Sequence, residues 1–202
     1  MKRKYITDIN ELDFSKQYTY ADYLNWRFNE RLELIKGWLY KMSPAPKRTH
    51  QKIEGNLHAK MWNYFENSQC EVYQSPFDVR LKRNKAKDDQ IDTVVQPDIC
   101  VICDKSKLDD AGCLGAPDLI VEVLSESTAK KDYNEKFNLY EENGVKEYWI
   151  ADPANKSIEI FSLINDKYES LGIYSEREGI TEVEGNLFPD LKIPLKTIFS
   201  EE

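Results

Sequence analysis

The run LIVEVL at positions 119–124, inside GAPDLIVEVLSEST, limits the fold more than any other stretch of this chain. Read as a strand it alternates faces: Leu119, Val121 and Val123 share one side, while Asp118, Ile120, Glu122 and Leu124 share the other. Both sides are mainly apolar, the pattern of a central strand covered on both faces. Glu122 breaks that pattern. A lone carboxylate in such a place costs on the order of several kcal/mol in lost solvation, so the fold must bring it a compensating group.

The rest of the chain supplies layers for this strand. Segment 46–66 carries Ile53, Leu57, Met61 and Phe65 at a spacing of four, with Trp62 and Tyr64 widening the stripe, and predicts a long amphipathic helix. A second helix is expected over 128–142, stopped by Asn143-Gly144. RLELIKGWLYKMSP alternates on either side of Lys36-Gly37 and reads as a hairpin. VKEYWIADPANKSIEIFSL reads as another, turning at Asp-Pro-Ala-Asn. Two strand-like runs over 70–83 break at Ser75-Pro76, strands 99–103 and 119–124 follow with a loop between them, and further short strands close the chain.

Thr19 caps a short helix bearing Tyr20, Tyr23 and Leu24, an N-terminal brace within residues 1–30; residues 31–202 form the core of what reads as one domain, 1–202. Segment 84–92 mixes both charge signs and has no apolar period, so it reads as a solvated loop despite Lys82, Arg83, Lys85 and Lys87. This order of elements implies an α/β architecture, a mixed β-sheet flanked by helices with additional β-hairpins.

Composition excludes several classes. With 41% hydrophobic and 32% charged residues the chain has enough apolar surface for a core and is no disordered polymer. No run nears the roughly 18 apolar residues of a membrane span, and MKRKYITDINELDF lacks the apolar centre of a signal peptide, so a cytoplasmic location is expected. A net charge of −8 offers no general attraction to polyphosphates and requires a local basic patch for any nucleic-acid partner. Cys100 and Cys103 lie three apart on an apparent strand and point to opposite faces, so they cannot close on one zinc ion. Together with Cys70 and Cys113 they are expected as small buried apolar residues of a reducing compartment.

Candidate chemistry lies at three acids on strands or at their mouths: Glu33 in the first hairpin, Asp98 after Pro97, and Glu122. If the strands bearing Asp98 and Glu122 are neighbours, their carboxylates converge and suit a hard cation such as Mg²⁺ or Mn²⁺, which would offset the burial of Glu122 and activate a water. Lys136 is a further candidate. Taking about 100° per residue from Tyr133, Phe137 falls near +40°, Tyr140 near −20° and Lys136 near −60°, bordering the inward arc, whereas Lys131 points away near 160°. His50 sits with Lys47, Arg48 and Lys52 in KMSPAPKRTHQK, the best local basic patch and a candidate contact for phosphates.

In order along the chain, LELIKG, His50-Gln51, VVQPDICVICD, GAPDLIVEVLSEST, KFNLYEENGVKEYWIADP and LFPDLKIPLKTIF resemble the Uma2 family of restriction endonucleases, within the PD-(D/E)XK nuclease superfamily. The resemblance spans nearly the whole chain. It implies a restriction-endonuclease-like fold and a Mg²⁺-dependent phosphodiesterase site, with Asp98 and Glu122 as the motif acids, Glu33 as the acid of the first hairpin and His50 as the histidine at the helix start. One departure stands out: the lysine of the wider superfamily's E-x-K would fall at Leu124, and its counterpart here is Lys136 on the following helix.

The expected function is a Mg²⁺-dependent DNA endonuclease, with Mn²⁺ as a substitute ion, in which Glu33, Asp98 and Glu122 hold metal and Lys136 assists the attacking water. A homodimer is expected, because cutting both strands of a duplex takes two sites. The alternative is a catalytically inactive nuclease-like module that binds nucleic acid or a protein partner.

Overall fold

Leu119–Val123 lies inside a six-stranded sheet, between Glu147–Asp152, with which it runs parallel, and Ile99–Ile102, with which it runs antiparallel. Glu71–Gln74 flanks it on the one side, and Ser157–Ile164 and Lys167–Ser175 on the other. The structure, a computed structural model, describes residues 5–42, 46–82, 87–126 and 129–200. The expected start of the second helix at Thr128, and Arg83 and Lys85 of the basic cluster, lie outside the described residues.

The two faces of the central strand fill as its alternation predicts. Leu119, Val121 and Val123 pack with Ile53, Leu57, Met61 and Phe65 of the helix Arg48–Phe65 and with Ile193, Leu195 and Ile198 near the C-terminus. Ile120 and Leu124 pack on the opposite side with Leu139, Tyr140, Tyr148 and Val95. Trp62 and Tyr64, expected to widen the helix's buried stripe, are exposed instead. The face turned to the sheet is narrow, and Ile53, Leu57, Met61 and Phe65 already fill it.

A second sheet, in the order Trp38–Lys41, Leu32–Ile35, Val94–Val95, Val79–Arg80, Gly112–Leu114 and Leu108–Asp109, covers the Ile120 side. Its first hairpin turns at Lys36 and Gly37, whose φ values of 51° and 84° suit a tight two-residue turn. Its last hairpin occupies what the sequence offered only as a loop before the central strand. The N-terminal Ile9, Leu12, Tyr20 and Trp26 brace this sheet against Leu32, Leu34 and Leu39.

Two local features depart from expectation. Cys70 and Cys103 stand one step beyond the paired residues Glu71 and Ile102 of adjacent antiparallel strands and are joined in a disulfide; Cys100 and Cys113 stay buried and free. The cysteine spacing could not reveal this, because it depends on which strands pair. The second helix is also not uniform: Ala129–Lys131 and Phe137–Asn143 flank a π-helical turn, Asp132–Lys136, before Gly144 ends the helix at a φ of 83°. A π-turn carries one more residue per hydrogen-bonded ring, which changes the direction of every side chain on its N-terminal side relative to the regular helix beyond it.

Candidate functional site

Glu122 is buried on the Ile120 side of the central strand, and its compensating group is Lys136, whose Nζ lies 2.7 Å from Oε1. The Tyr140 hydroxyl donates to the same oxygen at 2.7 Å. Lys136 also lies 3.2 Å from Glu33 Oε1 and 3.8 Å from Asp132 Oδ1, so one buried cation serves three buried acids. The three acids keep Lys136 protonated against the burial that by itself would lower its pKa. Burial pushes the Glu122 carboxyl upward; Lys136 opposes this and the negative charge of Asp98 adds to it.

Glu33 sits on Leu32–Ile35 and is fully covered. Lys131 bonds Glu33 Oε2, and the backbone N–H of Gln96 donates to Oε1 at 3.2 Å. Burial alone would raise the Glu33 carboxyl, but Lys136, Lys131 and these hydrogen bonds together hold it at about 2. Lys131, expected to face solvent, therefore points inward, and its ammonium also lies 4.7 Å from the centre of the Tyr40 ring. The π-turn is the reason. Uniform winding would leave Lys131 and Lys136 about 140° apart, whereas bonding between residues five apart brings them onto one side.

Asp98 lies at the mouth of Ile99–Ile102. The register Ile99 to Val121 places it at the step beside Glu122, as the neighbouring-strand expectation requires. Val123 N–H donates to Asp98 Oδ2 at 2.7 Å, and His50 Nε2 lies 3.2 Å from that oxygen. His50 and Glu54, four apart on the helix Arg48–Phe65, face the same way. His50 Nδ1 is 3.7 Å from Glu54 Oε2, and Gln51 donates to that oxygen at 3.1 Å. Burial, with Asp98 adding its charge, raises the Glu54 carboxyl to about 7. Burial would lower the His50 pKa, but Asp98 and Glu54 reverse the shift and raise it.

Glu33, His50, Glu54, Asp98, Glu122, Lys131, Asp132 and Lys136 all border one cavity of about 520 Å³. Sequence reasoning missed Glu54, Lys131 and Asp132. For Glu54 there was a signal, an acid between Ile53 and Leu57 on the buried stripe and one helical turn from His50. Asp132 gave one too, since it stands four residues before Lys136 and regular winding brings the two to one side; Lys131 gave none without the π-turn.

The basic residues near the helix start divide. Lys47 also borders this cavity and pairs with exposed Glu126 at 2.9 Å. Arg48 and Lys52 line a separate cavity of about 360 Å³ with Lys156, and among the described residues no acid lines it. Asp118, the acid of the second Pro-Asp, is structural: it accepts the Cys103 N–H at 2.8 Å and pairs with Lys146 at 2.6 Å.

Fold and site together define an α/β protein with acids and lysines converging on a cavity at the mouths of adjacent central strands. The chain belongs to the Uma2 family, described as "Putative restriction endonuclease", which it matches over residues 20–196. Two uncharacterized proteins of Synechocystis sp. (strain ATCC 27184 / PCC 6803 / Kazusa) are similar in sequence. One is 27% identical over 148 residues, 72% of this chain and 74% of that protein; the other is 28% identical over 158 residues, 76% and 85% of the two chains. The crystal structure of a "putative nuclease belonging to DUF820" from Anabaena variabilis ATCC 29413 shares the fold, with a TM-score of 0.69, 17% identity, and coverage of 91% of this chain and 98% of that one. Among the described residues no helix is long and apolar enough to cross a membrane.

Proposed function

We propose that this chain is a Mg²⁺-dependent endonuclease that hydrolyses phosphodiester bonds of DNA. The observation that carries the reading is Glu122: a carboxylate buried in a central strand, held by a buried lysine at 2.7 Å, with Asp98 at the adjoining strand mouth and an open cavity before them. A carboxylate retained only for stability has a simpler solution in this same protein. Buried Glu147 is satisfied by the Trp149 indole N–H at 2.7 Å and the Asn186 and Leu187 backbone N–H groups at 2.8 Å, with no cation among the described residues bonded to it.

The donor set fits a hard divalent ion. Among the described residues the contacts to Asp98 and Glu122 given above fall on one oxygen of each, Oδ2 and Oε1, and the second oxygens are the ligands an ion would take. A bound Mg²⁺ would polarise a phosphoryl oxygen and acidify a water. Glu33 enters this reading chiefly as the anchor of Lys131 and Lys136, since each of its oxygens already faces an ammonium. Lys136, fixed and charged at the cavity wall, stabilises the negative charge that builds on the phosphoryl oxygens as water attacks in line.

Lys47 at the cavity rim, and Arg48 and Lys52 in the adjoining basic cavity, supply phosphate contacts on an otherwise acidic protein, while His50, grouped with them in the sequence, is turned to Asp98 and Glu54 instead. A homodimer acting in the cytoplasm completes the reading. The test is cleavage of supercoiled plasmid in Mg²⁺ and in Mn²⁺, with Glu122→Gln as the control, alongside calorimetric Mg²⁺ binding. Metal-dependent nicking by wild type that Glu122→Gln abolishes supports the proposal. No cleavage of DNA by wild type in either ion overturns it and leaves the non-catalytic binding module.

A further inference from the structure

We propose that His50, Glu54 and Asp98 form a second metal position, on the helix side of Asp98, that takes Mn²⁺ or a later first-row transition ion in preference to Mg²⁺. The position stands on its own geometry; its bearing on catalysis rests on the nuclease reading above.

Three observations carry the inference. The first is convergence: one ligand atom from each of the three residues lies within 4.8 Å of the others, and His50 Nε2 is 3.2 Å from Asp98 Oδ2. Donors bound to one ion at roughly 2.0–2.2 Å stand at most about 4.4 Å apart, so small side-chain rotations complete the shell. Among the described residues no other group of three or more His, Cys, Asp or Glu meets this spacing.

The second is an orphan. His50 Nδ1 is buried and has no hydrogen-bond partner among the described residues, although a carboxylate oxygen lies 3.7 Å away, too far for a hydrogen bond. Leaving a buried imidazole nitrogen unsatisfied costs about 1–3 kcal/mol. An ion on the ring relieves this. With a carboxylate at each nitrogen, binding at one leaves the other N–H facing a carboxylate, the arrangement that fixes the tautomer of metal-binding histidines.

The third is donor chemistry. Asp98 and Glu122 offer oxygen alone, which suits Mg²⁺, whereas the helix side adds an imidazole. Mg²⁺ keeps to oxygen and water, while affinity for nitrogen-containing sites rises from Mn²⁺ along the first row. Asp98 stands between the two sets and is common to both. A pair of ions sharing a carboxylate would span both the attacking and the leaving oxygen of an in-line displacement.

The experiment is electron spin-echo spectroscopy of Mn²⁺ bound to the full chain, which detects ¹⁴N coupling from a ligating imidazole. Wild type and Glu122→Gln are expected to show nitrogen modulation. His50→Gln is expected to lose it, and both His50→Gln and the near-isosteric Glu54→Gln should bind one Mn²⁺ fewer in a calorimetric titration. The nitrogen-coupled ion is expected to survive a hundredfold excess of Mg²⁺. Absence of nitrogen modulation in wild type, its persistence in His50→Gln, or its loss to equimolar Mg²⁺ would overturn the proposal. Nitrogen coupling without plasmid cleavage would refute the nuclease reading while the metal position stands, and cleavage without nitrogen coupling would do the reverse.

Discussion

Replacing Lys136 by Met removes the one charge that three buried acids share and keeps most of the stem's volume. The magnitude follows from the site. Without the ammonium at 2.7 Å from Glu122 and 3.2 Å from Glu33, one of these carboxylates must take up a proton for the cavity wall to remain buried. Glu122 is the one, since burial already pushes it upward. Removing one partner of a buried ion pair typically costs roughly 3–5 kcal/mol, and a loss of that size is expected at pH 7.5.

The assay is urea unfolding at pH 7.5 followed by the fluorescence of buried Trp149, for wild type and Lys136→Met. Lys131→Met, which leaves Glu33 its bond to Lys136, should lose about 2 kcal/mol. A Lys136→Met protein as stable as wild type at pH 7.5 would refute the shared-cation argument. In the nuclease reading this variant also cleaves plasmid at least about 100-fold more slowly, the usual scale for a positioned catalytic group.

Glu33, held at about 2 against an ordinary 4.5, contributes stability that is present above pH 4.5 and is lost as the pH falls through 2. Acid unfolding of wild type should carry about 3 kcal/mol from this group over that window, and the same limb should be flatter in Glu33→Gln. Gly112 has a φ of 116°, and a Cβ there would stand 2.2 Å from the Asp78 carbonyl oxygen, so Gly112→Ala should destabilise by more than about 2 kcal/mol in denaturant. Gly55, on the exposed face of the helix Arg48–Phe65 with nothing within 4 Å, should give the opposite sign, about 0.5–1 kcal/mol of stabilisation as Gly55→Ala. Millimolar Mn²⁺ should raise the melting temperature of wild type, by an amount equivalent to about 3 kcal/mol at a hundredfold excess over Kd, and should do so less in Glu122→Gln.

The local pattern of the sequence determined much of this protein. Alternation over 119–124 assigned both faces of the central strand, and Leu119, Val121 and Val123 do pack opposite Ile120 and Leu124. The spacing of Ile53, Leu57, Met61 and Phe65 set the long helix, and Lys36-Gly37 set the first hairpin, because periodicity and turn chemistry act over a few residues. The misfit of Glu122 announced that a cation or metal had to meet it, and Lys136 does. Those inferences needed no knowledge of what packs against what.

Other features arose only when distant segments met. Glu33 reads as an ordinary hairpin residue until Gln96, Lys131 and Lys136 close over it, from segments 63 to 103 residues later in the chain. His50 and Glu54 acquire a meaning only beside Asp98, and Cys70 meets Cys103 only through the pairing of their strands. The direction of Lys131 turned on one π-turn, which no hydrophobic period encodes because it adds a residue without changing the pattern on either side. Burial decides the chemistry of these groups, and burial is set by contacts between elements far apart in sequence, which side-chain periodicity within one element cannot report.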